Sequence, residues 1–130
     1  MTKSVITTDG APAAIGPYAQ GVRVGNLIFT AGQGALDPVS GQIIPGGIKE
    51  QTERTLENLK AILEAGGSSL GQVVKATVYM KDLSDFSAMN AVYASYFGTG
   101  EEDTLPARTT VEVSRLPRNL LVEIEVVAEV

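Results

Sequence analysis

The sequence contains no cysteine and no histidine. These absences exclude disulfide bonds, Ser-His-Asp triads, Cys-His nucleophile pairs and zinc sites built from either residue. Any chemistry must therefore come from Asp, Glu, Lys, Arg, Tyr, Ser, Thr or backbone groups.

Positive charge and long apolar runs are also scarce. Ten basic residues face 15 acidic ones, giving a formal net charge of −5, which disfavours a protein that binds nucleic acid through general electrostatics. The apolar runs are only a few residues long and the N-terminal segment MTKSVITTDG has no hydrophobic stretch. We therefore expect no membrane span and no signal peptide, and a cytoplasmic protein.

The 130 residues, 44% of them hydrophobic, fit a single domain spanning residues 1–130 that folds without a disulfide or metal. Hydrophobic periodicity and turn residues predict six strands and two helices. The predicted strands are 5–7, two within 22–31 joined at Gly25-Asn26, 73–80, 107–113 and 120–130, and the predicted helices are 48–65 and 84–97. In the strand 73–80, we expect Val74, Ala76, Val78 and Met80 to share one face.

This order predicts an α+β two-layer sandwich, in which a mixed sheet of about six strands carries both helices on one face. Two helices cover only one side of such a sheet. Segments such as LVEIEVVAEV nevertheless have apolar residues on both faces of the strand, so we expect the uncovered face of the sheet to pack against another subunit.

Three places in the strands and turns offer reactive or binding groups. Arg108 shares a face of its strand with Thr110, and its guanidinium could bind the carboxylate of a small organic acid, although an edge-strand or ion-pair role fits the pattern too. Glu123 and Glu125 share a half-apolar face, where cover by a neighbouring subunit would raise the pKa of a glutamate. The pattern also fits a solvated face, or ion pairs with Lys75, Arg115 or Arg118. In the turn-rich segment GPYAQG, Tyr18 either caps a pocket or packs on the core.

A fourth place is the strand end TAGQG. Glycine at position 32 would let the backbone approach a ligand closely, although a simple strand exit explains it as well. The glycine spacing matches neither a dinucleotide fingerprint nor a phosphate-binding loop.

Five segments in order, GPYAQG, TAGQ, VKATVYMKDLSDF, NAVYASYF and PARTTVEVSRLP with VEIEVVA, resemble the RidA family, also called YjgF or L-PSP proteins. The resemblance implies a chorismate-mutase-like fold and a homotrimer with a central barrel and active sites in clefts between subunits. It also implies a deaminase that needs no metal or organic cofactor. Its substrates would be 2-iminopropanoate and 2-iminobutanoate, released by pyridoxal-phosphate enzymes, and its products 2-oxo acids and ammonia.

The resemblance also assigns roles to individual residues. Arg108 would clamp the substrate carboxylate, Glu123 would hold the attacking water, and Tyr18 would close the pocket. Backbone groups near Gly32 and Thr110 would contact the imine end. The chain departs from the family at Ala31, where serine is common, and at Thr110, where cysteine is common.

The sequence is also compatible with two other functions. The same cleft could hold a 2-oxo acid without turnover, as a regulatory trimer. Some relatives are described as endoribonucleases that inhibit translation, but the net negative charge, the missing histidines and the lack of a basic, aromatic-rich stripe argue against RNA cleavage here.

Overall fold

The computed structural model describes residues 2–100 and 104–130, which form one six-stranded sheet and two α-helices. The elements in chain order are β1 (Lys3–Ile6), β2 (Gly21–Val24), β3 (Leu27–Thr30), α1 (Ile48–Ala65), β4 (Val73–Met80), α2 (Phe86–Phe97), β5 (Ala107–Glu112) and β6 (Val122–Glu129). Short 3-10 helices at Leu70–Gln72, Leu83–Asp85 and Pro117–Asn119 precede β4, α2 and β6.

The strands lie in the order β1-β2-β3-β6-β4-β5. β4 and β5 are parallel, with α2 as their crossover, and the other neighbouring pairs are antiparallel. The mixed sheet with two helices confirms the α+β architecture predicted from the sequence. β1 and β5 form its two edges, so Arg108 stands on an edge strand.

Both helices pack on one face of the sheet because their apolar residues recur at helical spacing. Leu56, Leu59, Ile62 and Leu63 of α1 are fully buried against Ile28, Ala76, Val78, Ile124 and other residues of that face. Thr52 and Thr55, which share the helical stripe, are buried as well. This packing fixes which face of each strand points to the helices.

The prediction that Val74 shares a face of β4 with Ala76, Val78 and Met80 is wrong for Val74. The pairing of β4 with β6 shifts between Val73 and Lys75, which is the mark of a β-bulge. Val73 is therefore buried and Val74 is 42% exposed, whereas Ala76, Val78 and Met80 face the core as predicted.

Some element ends also differ from the prediction. α2 begins at Phe86 and not at Ser84, because the Asp82 carboxylate accepts the Ser84 N–H and residues 83–85 form a 3-10 turn. β6 begins at Val122, after a turn in which Arg118 and Asn119 have φ of 56° and 57°. β1 covers Lys3–Ile6, so it begins and ends earlier than the predicted 5–7.

The face away from the helices carries a mixture of apolar and acidic side chains. Phe29 and Val111 are exposed there, at 42% and 37%. Glu123 and Glu125 lie between them on β6, each half-buried. Among the residues that the structure describes, no helix has the length and apolar character needed to cross a membrane.

Candidate functional site

Arg108 lies on β5 opposite Ala76 of β4, so its side chain is on the face that the helices cover. Its Nη1 donates a hydrogen bond of 2.7 Å to Oδ1 of Asn90 on α2. The guanidinium carbon lies 4.5 Å from the ring centre of Tyr93 and 5.5 Å from that of Phe86. Such distances give cation-π attraction, which together with the hydrogen bond fixes the guanidinium.

A cavity of about 460 Å³ opens beside this cation. Asn90, Tyr93 and Arg108 form one part of its wall, and Leu105 and Pro106 form an apolar part. This combination of one fixed cation and an apolar wall suits a small organic anion.

Thr110 follows on the same face, opposite Val78. Its hydroxyl oxygen is buried and has no hydrogen-bond partner within the described residues. A buried hydroxyl without a partner is costly, so this oxygen is a candidate contact for a ligand or water.

Glu123 lies on the other face of the sheet, opposite Tyr79. Burial raises the pKa of its carboxyl, and the neighbouring charge of Glu125 raises it further. Glu125 in turn accepts a hydrogen bond of 2.8 Å from the Tyr79 hydroxyl. The carboxyl of Glu123 is therefore suited to exchange a proton with water at a pH nearer neutrality than an exposed glutamate.

Gly32 lies directly against this carboxyl. A Cβ built on Gly32 would contact Oε2 of Glu123 and lie 2.9 Å from its Cδ. The neighbouring Gln33 exchanges two backbone hydrogen bonds with Ile124, of 2.9 and 3.0 Å, which hold the strand exit beside β6. Glycine at position 32 thus leaves the space that the Glu123 carboxyl occupies.

Two buried amides of α1 hold the segments that flank Gly32 and Glu123. Asn58 donates from Nδ2 to the carbonyl oxygens of Gly34 and Leu36, at 3.1 and 3.0 Å. Gln51 accepts the N–H of Leu121 at 2.9 Å. Sequence reasoning missed both residues, although polar residues at helical spacing on a buried stripe signal such a role.

Tyr18 lies apart from these groups. It is 51% exposed in the segment between β1 and β2 and lines a larger cavity of about 700 Å³ near the β1 edge. Its segment is held by buried Gln20, whose Oε1 accepts the Thr8 N–H and whose Nε2 donates to three carbonyl oxygens, those of Thr8, Ala11 and Pro12.

The structure of one chain therefore brings some of the predicted site residues together and separates others. Gly32 lies beside Glu123, and Thr110 shares the helix-covered face with Arg108. Arg108 and Glu123 occupy opposite faces of the sheet, and within the described ranges neither lines the cavity at Tyr18.

Sequence reasoning also missed the surroundings of Arg108. Phe86, Asn90 and Tyr93 lie four and three residues apart, on one side of α2. A polar residue within an aromatic stripe was the available signal. In the part of the chain that the structure describes, no three acidic side chains are grouped so as to hold a metal ion.

Comparison with known proteins gives consistent matches along the chain. The model of the family described as Endoribonuclease L-PSP matches residues 8–130. A RutC family protein of Pyrococcus abyssi is 57% identical over 128 residues, which is 98% of each chain. A protein of Escherichia coli named 2-iminobutanoate/2-iminopropanoate deaminase is 49% identical, also over 98% of each chain. The crystal structure of E. coli TdcF with bound serine matches with a TM-score of 0.91 and 43% identity, covering 98% of each chain.

Proposed function

Because the chain belongs to the Endoribonuclease L-PSP family, the RidA or YjgF family that its motifs resemble, we propose that it hydrolyses small 2-imino acids to 2-oxo acids and ammonia. The observation that carries this proposal is the fixed guanidinium of Arg108 beside a cavity. The name of the E. coli relative, 2-iminobutanoate/2-iminopropanoate deaminase, supports the reaction type.

Arg108 binds the substrate through its carboxylate. A planar guanidinium forms two parallel hydrogen bonds with a carboxylate, which sets both the position and the plane of a small 2-imino acid. The cation also keeps the substrate in one orientation relative to the attacking water, and such positioning lowers the barrier of the chemical step. A solved relative, E. coli TdcF, holds serine, a ligand that also has a carboxylate.

Glu123 holds the water that attacks the imine. The protonated C=N group is a good electrophile, so a positioned water can add to C2 as Glu123 accepts its proton. The proton then passes to the nitrogen of the resulting carbinolamine. As the C–N bond breaks, Glu123 accepts the hydroxyl proton, the C=O bond forms, and ammonia and the 2-oxo acid leave; Glu123 then returns this proton to solvent. Tyr18 closes the site, and backbone groups near Gly32 and Thr110 contact the reacting end.

The two principal groups come from different copies of the chain. Arg108 and Glu123 lie on opposite faces of one sheet, so a site that uses both takes Arg108 from one subunit and Glu123 from its neighbour. Exposed Phe29 and Val111 on the uncovered face fit such an interface, because burial there would remove apolar area from water. A homotrimer with three such sites is the assembly that the family resemblance implies.

The activity is tested with an amino-acid oxidase that generates 2-iminobutanoate beside a nucleophile that traps it. We expect the wild-type protein to accelerate loss of the imine, and Arg108→Ala and Glu123→Gln to lose most of that acceleration. Lys60→Ala, which changes an exposed residue of α1, serves as the control and should match the wild type. No acceleration by a folded wild-type protein would refute the proposal.

Binding without turnover is the second candidate function, since the Arg108 cavity by itself suits a 2-oxo acid. Tight binding of 2-oxobutanoate with no imine hydrolysis would favour it. The net charge of −5 disfavours RNA cleavage. RNA binding that weakens steeply with added salt would indicate phosphate contacts and favour that function instead.

A further inference from the structure

Among the described residues, the side chain of Arg108 is held in place by uncharged groups. Its side chain is half-buried and lies over the rings of Tyr93 and Phe86. Within residues 2–100 and 104–130, no carboxylate forms an ion pair with it, and its hydrogen-bond acceptor is the neutral amide of Asn90, at 2.7 Å. A partly buried arginine is more commonly paired with an acidic group, so this arrangement is unusual for a purely structural arginine.

The type of acceptor matters for an incoming anion. An arginine side chain has many rotamers, and holding one of them before the ligand arrives reduces the entropy lost on binding. A carboxylate at the position of Asn90 would also hold the guanidinium. However, it would compete with the ligand for the same N–H groups and neutralise the charge that attracts the ligand. A neutral acceptor orients the cation and leaves its charge available.

We propose that Asn90 is a positioning residue for Arg108, whose side-chain oxygen orients the guanidinium toward a carboxylate ligand without cancelling its charge. The inference rests on the proposed function of Arg108 and adds to it a residue that does not itself take part in the chemical step. The rings of Tyr93 and Phe86 lie on the same side of α2, 4.5 and 5.5 Å from the guanidinium carbon, and add to its support.

Three variants separate positioning from a structural role. Asn90→Ala removes the acceptor, and Asn90→Asp keeps an oxygen in place but adds a negative charge. Ala88→Asp adds the same charge at an exposed position of α2, about 200° around the helix from Asn90. Isothermal titration with 2-oxobutanoate measures the Kd of each variant. Thermal unfolding shows whether each one is folded.

We expect Kd to rise roughly tenfold in Asn90→Ala, the scale of one hydrogen bond to a charged group. Asn90→Asp should weaken binding at least as much, about tenfold or more, because its carboxylate competes with the ligand. Ala88→Asp should bind as the wild type does. In the imine assay, Asn90→Ala should raise KM more than it lowers kcat, because it disturbs binding of the carboxylate and leaves Glu123 in place.

A double-mutant cycle completes the test. If Asn90 acts through Arg108, then Asn90→Ala has no further effect on Kd in an Arg108→Ala background. Binding by Asn90→Asp as tight as that of the wild type, or an equal loss from Asn90→Ala in both backgrounds, would overturn the positioning role. Tight binding by the Arg108→Ala single variant, or none by the wild type, would instead overturn the proposed function of Arg108 and the inference with it.

Discussion

Replacing Gly32 with alanine tests whether the position of the Glu123 carboxyl matters for activity. The new methyl carbon would lie 2.9 Å from Cδ of Glu123 and closer still to Oε2. Carbon and oxygen atoms in favourable contact are ~3.5 Å apart, so the carboxyl must retreat by about 1 Å. A misplacement of that size can lower the rate about 100-fold. The obstructed atoms belong to the end of a flexible side chain, so the fold itself has little to adjust.

The assay compares imine hydrolysis and stability in the same variants. We expect Gly32→Ala to lose about 100-fold in kcat/KM, while its free energy of unfolding changes by less than about 1 kcal/mol, because the φ angle of Gly32 suits alanine. Gly71→Ala is the matched control, since its methyl would have its nearest neighbour at 3.7 Å. Wild-type activity in Gly32→Ala would refute the assignment of Glu123 to the reacting water.

Three further variants probe the electrostatics and the support of the site. In Glu125→Gln, the pKa of Glu123 should fall, because the neighbouring negative charge that helps to raise it is removed. The acid limb of the pH–rate profile should therefore move to lower pH. Burial should still keep the pKa of Glu123 above that of an exposed glutamate. Asn58→Ala should lower the free energy of unfolding by about 2–3 kcal/mol in urea denaturation, because two partly buried carbonyl oxygens lose their donor. Gln20→Ala should cost about 2 kcal/mol and increase amide hydrogen exchange across residues 8–18, whereas unchanged exchange would show that Gln20 does not hold the Tyr18 segment.

The sequence predicts those elements whose apolar pattern is strong. The apolar residues of α1 recur at helical spacing along its 18 residues, and the predicted bounds, 48–65, match the structure. The expected face of β4 is correct from Ala76 onward and fails at Val74, because alternation alone does not reveal a bulge. The predicted start of α2 at Ser84 is too early, because the Asp82 cap and the 3-10 turn after it resemble a helix start.

The sequence identifies which residues are candidates for the site, but it does not predict where they lie relative to one another. Alternation within a strand predicts that Arg108 shares a face with Thr110, and Glu123 with Glu125. It does not predict whether those two faces lie on the same side of the sheet. The relative position of the two faces depends on the register of β5 with β4 and of β6 with β4. Together these two pairings put Arg108 and Glu123 on opposite faces of the sheet. The contacts of Asn90 with Arg108 depend on how α2 packs across the sheet, and no local pattern encodes them.

Mixing two inactive variants tests directly whether Arg108 of one subunit and Glu123 of another act in the same site. Arg108→Ala and Glu123→Gln, carrying different affinity tags, are co-expressed, and the mixed assemblies are isolated through both tags. In a mixed trimer, whichever variant supplies two of the subunits, about one third of the sites would combine an intact Arg108 with an intact Glu123.

We expect the isolated mixed assemblies to recover roughly a third of the wild-type imine hydrolysis, although each parent alone is nearly inactive. Co-expression of each variant with itself under both tags controls for the isolation procedure. Mixed assemblies no more active than the two parents would show that no site combines Arg108 and Glu123 from different copies.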